Sequence, residues 1–284
     1  MGYSNLADLI SDAETLGSIG EAVVSRECDE TGRSRESVLS SFLDALEVME
    51  SAVAAGLKGD ARSRSGLTGG DARRVSEADH ALAGDTLATA IAGALAVAEV
   101  NASMGRVVAA PTGGASGVLP GVMLTVAANV GASRERTALA LAAAGGVGGV
   151  IAAKASLSGA ASGCQAEIGS GAAMAATAAV ELAGGTPRQA GHAASLALQG
   201  LLGLVCDPVG GLVEVPCVVR NATAAGVALS AAQMALAGVE FPIPFDEVAS
   251  AMGSVGRSLP PSLRETALGG LAVTPTGKRL ASAL

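Results

Sequence analysis

A chain of 284 residues is long enough to bury a real core, as one large domain or two modest ones. Its net charge of -8 and the lack of a basic stripe with interleaved aromatics exclude the electrostatic footprint of a nucleic-acid binder. Half of the residues are apolar, yet only 1% are aromatic and 39 are glycine, which predicts helices with small side chains and closely approaching axes.

The first residues, MGYSNLADLISDAE, are polar and acidic. They lack the basic and apolar regions of a secretory signal, so a cytoplasmic protein is expected. Ser34 is a candidate N-cap for a helix carrying Val38, Phe42, Leu46, Met49 and Val53 on one face, with Gly56 as its expected end. Residues 57–76, LKGDARSRSGLTGGDARRVS, read as a loop long enough to be functional. Its Gly69-Gly70-Asp71 stretch is expected to approach a site or a partner chain. A second helix carries Leu87, Ile91, Ala94, Leu95 and Ala98, with Gly105 just past its end, and AAPTGGASGVLPG over 109–121 reads as another loop.

The run Thr137–Ala153, TALALAAAGGVGGVIAA, sits at the short limit for a membrane span. It holds four glycines and has no flanking aromatic belt, so a helix buried in protein is the expected form and no membrane partner is predicted. Thr186-Pro187 is a helix start, with Thr as N-cap and Pro at the first helical position. Apolar runs over Val227–Leu236 and Phe245–Met252 complete the series. No set of alternating strands is found. The expected fold class is all-α, one compact domain over 1–284, with a more polar segment 1–76 and a helical core 77–284.

Four cysteines stand at 28, 164, 206 and 217. Structural disulfides are disfavoured in a reducing compartment, and the late spacings match no zinc-finger pattern. Cys164, Cys206 and Cys217 lie in SGCQAE, VCDPVGG and EVPCVVRN. Each stretch holds Gly or Pro, and turns can aim several thiolates at one point. Two readings stand on these residues alone. The thiols are small buried hydrophobes, or they are three ligands to a [4Fe-4S] cluster with one iron left open as a Lewis acid. Cys28, among charges, reads as incidental.

Further candidates surround these motifs. The loop PTGGASG, Pro111 to Gly117, offers backbone N–H groups and the hydroxyls of Thr112 and Ser116 to a carboxylate, or is a tight interhelical turn. Glu167, three residues after Cys164, would share a helix face with it, either contacting a substrate ammonium or bracing the loop. Arg220 could hold a carboxylate bidentately; anchoring of its turn is the preferred reading. His80 reads as exposed or capping and His192 as a packed or surface side chain. Lys154 sits in an apolar context, but no motif supports it as a base.

The segments NASMGRVVAAPTGGASGVLPGV (101–122), SLSGAASGCQAEIGSGAAMAA (156–176) and LGLVCDPVGGLVEVPCVVRNA (202–222) resemble the alpha chain of iron-sulfur-dependent L-serine dehydratase. SRSGLTGGDA (63–72) and RETALGGLAVTPTGK (264–278) extend the resemblance over most of the chain. It implies that Cys164, Cys206 and Cys217 hold a [4Fe-4S] cluster acting as Lewis acid on the serine hydroxyl, with no pyridoxal phosphate. The products would be pyruvate and ammonia. It further implies a beta chain that supplies part of the active site, including the base, and a higher oligomer. Thr112, Gly113, Ser116, Ser158, Gly159 and Glu167 become the candidate substrate-binding residues, with Ser156 shaping the same pocket. Related chains often read PTAGSAG; the altered middle here leaves Ser116 a weaker candidate than Thr112. Two rivals stand beside this reading: a cluster-dependent L-cysteine desulfidase and a non-catalytic metal-binding helical subunit.

Overall fold

The computed structural model describes residues 2–284. Among them are thirteen α-helices, three short 3-10 turns, one π-helical turn and no β-strand. The first three helices are α1 (Leu6–Leu16), α2 (Ile19–Thr31) and α3 (Arg35–Leu57). Ser34 caps α3, its side chain accepting from the Ser37 N–H, and Val38, Leu46 and Met49 face inward. Gly56 does not end this helix. It lies in the last turn, where a Cβ would collide with the Ala96 backbone, so the glycine serves close helix packing.

The expected loop 57–76 closes earlier than its composition suggests, because α4 (Asp71–Ser76) forms its last turn. Next comes α5 (Gly84–Ala102), buried without a break from Ala92 to Val100, as expected of a helix surrounded by others. α6 (Val118–Asn129) begins inside the expected loop 109–121. Its Pro120 falls in the first turn, where a missing N–H leaves no intrahelical bond unmade. α7 (Arg134–Lys154) is long and apolar enough to cross a bilayer, but 67% of its most apolar window is buried within the chain. It packs against α2, α3 and α9 (Ser170–Leu182).

Between α7 and α9 lie the single turn α8 (Gly159–Ser162) and the π-helical turn Gln165–Gly169. Every residue of α9 except Glu181 is buried, and α6, α7, α10 (Pro187–Gln199) and α11 (Cys217–Leu236) surround it. α10 starts with a full capping box between Thr186 and Gln189. α12 (Phe245–Ser258) and α13 (Pro275–Ala281) close the chain. One core cluster joins residues from Tyr3 to Met252, most of them Ala, Val and Leu.

Three helix N-termini are closed by carboxylates from distant parts of the chain. Asp246 accepts from the Leu6 N–H at the start of α1 (3.1 Å). Glu181 accepts from Ile19 and Gly20 at the start of α2 (3.3 and 3.1 Å). Glu99 accepts from Asp71 and Ala72 at the start of α4 (2.6 and 3.3 Å). Each satisfies orphan backbone donors at a helix N-terminus. The outer helices are thereby tied to the core by polar as well as apolar contacts.

Candidate metal centre

Three separate segments carry the late cysteines. Cys164 follows Gly163, whose φ of 77° turns the chain, and precedes the π-helical turn, a feature common at functional sites. The neighbouring Gln165 is fully buried. Its N–H donates to the Leu204 carbonyl (2.9 Å), and its side-chain oxygen accepts from the Gly203 N–H (2.9 Å). Its amide nitrogen donates to the carbonyls of Ser162 and Met252 (2.9 and 3.1 Å). The turn bearing Cys164 is therefore stitched to the strand of chain just before Cys206.

Cys206 is held on both sides of its backbone. Its N–H donates to the Leu263 carbonyl (2.9 Å) and its carbonyl accepts from the Glu265 N–H (2.8 Å). Glu265 adopts a φ of 63°, a region unfavourable to a side chain other than Gly, Asn or Asp. Arg220 spans the same segment. Its Nη1 donates to the Val205 carbonyl (2.9 Å) and its Nη2 lies 2.9 Å from Asp207 Oδ1. The other Asp207 oxygen accepts from the Leu271 N–H (2.7 Å). Arg220 thus grips the residues on either side of Cys206, which is the anchoring role. Cys217 is the first residue of α11.

These segments converge. Cys164 Sγ, Cys206 Sγ and a Glu167 carboxylate oxygen all lie within 4.8 Å of one another. Cys217 stands outside that tight group, but near enough for the Cys164 charge to act on it. All three thiols are free and buried. Gly159, the first residue of α8, presses on the group. A Cβ there would stand 2.7 Å from the Glu167 carboxylate and 3.2 Å from Cys206 Sγ.

The electrostatics follow from burial and contact. A hydrogen bond from Cys206 to the Cys164 sulfur, opposed by burial and aided by the charge of Arg220, lowers the Cys164 thiol below its ordinary value. The same bond and burial raise Cys206. Burial pushes Cys217 up to about 12 and lifts the Glu167 carboxyl above its usual range. For all three thiols to ionise together in so dry a place they need cationic charge, which Arg220 supplies only in part. The donor set of three free thiols and one carboxylate, with no side chain at Gly159 to fill the space, fits a thiophilic metal or an iron–sulfur cluster.

The loop 111–117 lies against this group. A Cβ at Gly114 would stand 3.5 Å from the Glu167 carboxylate. Gly113 faces Asn101. The Ser116 hydroxyl is buried without a hydrogen-bond partner, and the Thr112 hydroxyl lies close enough to the Glu167 carboxyl to act on it. Ser158 is exposed at the start of α8, and its N–H is held by the Ser156 hydroxyl (3.1 Å). The 63–71 loop reaches the segment before Cys217, where the Ser65 hydroxyl donates to the Glu214 carboxylate.

Comparison with known proteins gives this arrangement its context. A family model described as serine dehydratase alpha chain matches residues 14–272. The chain belongs to the serine dehydratase alpha chain family. It is 48% identical over 282 residues to the probable L-serine dehydratase alpha chain of Bacillus subtilis, spanning 98% of this chain and 94% of the relative. It is 42% identical over 265 residues to the L-serine dehydratase alpha chain of Peptoniphilus asaccharolyticus, with 92% and 91% covered. The L-serine dehydratase of Mycobacterium bovis is 46% identical over 185 residues, 63% of this chain but only 40% of that longer protein.

In this alpha chain the remaining candidates fall elsewhere. His80 Nδ1 is 3.1 Å from the Asp85 carboxylate at the start of α5. His192 Nδ1 accepts from the Phe241 N–H (3.2 Å) and lines a cleft of about 740 Å³ between α1, α10 and residues 240–246. Lys154 is paired with Asp246 (3.5 Å). Cys28 packs against the separate cluster of Val24, Val38 and Ala142. Sequence reasoning missed Gln165, Asp207 and Asn221. All three lie inside the motifs that carry the cysteines, so proximity to a ligand was the available signal.

Proposed function

We propose that the chain is the alpha subunit of an L-serine dehydratase, a lyase that eliminates water from L-serine and releases ammonia to leave pyruvate. The observation that carries this reading is the convergence of Cys164, Cys206 and Glu167, with Cys217 beside them, in a family named for serine dehydration. Cys164, Cys206 and Cys217 would hold a [4Fe-4S] cluster. When bound, the cluster supplies a Lewis acid that eases departure of the serine hydroxyl as charge develops on its oxygen.

The chain's own residues do the rest of the binding. Arg220 balances thiolate charge and keeps Cys206 in place. The N–H groups of the 111–117 loop, with the Thr112 and Ser116 hydroxyls, receive the substrate carboxylate; the Ser116 hydroxyl lacks any other partner. Glu167 is placed to meet the substrate ammonium, and Gly113, Ser158 and Gly159 border the same space. Burial of the site excludes water from the reacting groups. The α-proton must be taken by a positioned base. Neither His80 nor His192 lies among these residues, so the base belongs to a beta chain, which we take as the partner in a cytoplasmic, higher-order assembly. Loss of water leaves aminoacrylate, and its hydrolysis yields pyruvate and ammonia without pyridoxal phosphate.

The test is turnover of L-serine by the anaerobically purified chain with its beta chain, assayed beside L-cysteine. Pyruvate from serine supports the reading. Sulfide from cysteine with no serine turnover would replace it by a desulfidase, and a colourless, zinc-loaded, inactive protein would replace it by a binding role.

A further inference from the structure

Asn221 sits one turn into α11, and its side chain is 1% exposed. Its amide nitrogen donates to the Gly114 carbonyl (2.8 Å) and to the Cys217 carbonyl (2.9 Å). Its side-chain oxygen accepts from the Gly117 N–H (2.9 Å). The loop 111–117 and the helix turn that presents Cys217 are thus joined through one planar amide. A Cβ at Gly117 would stand 3.1 Å from that same oxygen, so backbone and amide are already in close contact. Only an amide can fill this place. A carboxylate cannot donate to two carbonyls, and a shorter hydroxyl side chain cannot reach both segments.

We propose that Asn221 is a positioning residue of the dehydratase site, fixing the spacing between the carboxylate-binding loop and the thiol of Cys217. This rests on the reading of that loop as the seat of the substrate carboxylate. The cluster ligands do not need the amide. Cys164 and Cys206 are held by the Gln165 and Leu263–Glu265 contacts, and Cys217 by its own helix. The loop has no comparable tie to α11 through its hydroxyls, because Ser116 makes no hydrogen bond and Thr112 is directed at Glu167. Loss of the amide therefore separates substrate placement from metal retention.

Asn221→Ala and the isosteric Asn221→Asp are made in the full chain and assembled with the beta chain. Iron per chain, hydrogen exchange of the peptide spanning 112–121, and KM and kcat for L-serine are then compared with wild type. The expected result is iron retained, Gly117 exchange about tenfold faster in Asn221→Ala, and KM raised roughly 10- to 100-fold in both variants, as for a misplacement near 1 Å. Asn221→Asp keeps the shape of the side chain and remains readable if Asn221→Ala does not fold. Unchanged exchange, or wild-type KM with only a lowered melting midpoint, overturns the proposal. Absence of serine turnover in the wild type would instead refute the dehydratase reading, while the exchange measurement still decides the coupling.

Discussion

Replacing Gly159 by alanine separates the site from the fold. The added Cβ would lie 2.7 Å from the Glu167 carboxylate oxygen, 3.1 Å from its carbon and 3.2 Å from Cys206 Sγ. Both side chains must retreat by several tenths of an ångström. Overpacking of this kind costs about 1–3 kcal/mol. Alanine recovers up to about 1 kcal/mol as a better helix former than glycine. The net cost is thus about 0–3 kcal/mol, a fall in Tm of no more than about 12 °C for a domain of this size. The site pays far more, because Glu167 and Cys206 are displaced directly. Serine turnover should fall about tenfold or more, and iron per chain should drop. Melting, iron analysis and turnover are measured on one anaerobic preparation. Full iron content with wild-type turnover would refute the placement of Gly159 against the reacting groups.

Four further outcomes follow from the same geometry. Cys164→Ser, Cys206→Ser and Cys217→Ser should each abolish the bound iron, while Cys28→Ser should leave it intact; iron retained in two of the three would sink the ligand set. Gly145→Ala and Gly149→Ala, on α7 with nothing within 4 Å of the new Cβ, should each raise stability by about 1 kcal/mol, read as a rise in Tm; a fall in either would contradict the packing. Arg220→Met leaves the Asp207 carboxylate buried beside Cys206 without its cation and should cost about 3 kcal/mol in denaturant unfolding; a change below 1 kcal/mol would remove the anchoring role. Burial holds the Glu99 carboxyl above its ordinary value of 4.5, so its stabilising contribution is full below that value and is lost as pH rises through the folded value. The Tm of the wild type relative to Glu99→Gln should therefore decline from pH 4.5 upward; a flat difference would refute it.

The helices that announce themselves in the sequence are those with side-chain caps. Ser34 and Thr186 both act as N-caps where the sequence places them. The apolar run 137–153 lies within α7 as a buried helix. Boundaries failed where the deciding contact is tertiary. Gly56 reads as a terminator but packs against Ala96. The start of α4, inside the expected loop 57–76, has no side-chain cap of its own and depends on Glu99, 28 residues downstream. α11 begins at Cys217, ten residues before its apolar run, because its first turns are built from Cys217, Arg220 and Asn221 rather than from a stripe of large side chains. At the site, the neighbourhood of Cys164 and Glu167 was legible from their spacing of three, although a π-helical turn carries it. The grip of Arg220 on Val205 and Asp207 was legible only as a preference. The bridging amide of Asn221 joins residues 104 and 107 positions away, and no local pattern encodes such a bond.

On the proposed function, Cys164, Cys206 and Cys217 hold a [4Fe-4S] cluster. Its most direct test is iron and acid-labile sulfide per chain, with a visible absorption spectrum, on protein purified and reconstituted without oxygen. The expected result is about four iron and four sulfide per chain with a broad brown absorbance, the content of one cubane cluster. Absence of iron after reconstitution, with all three thiols still free and reactive, would contradict it.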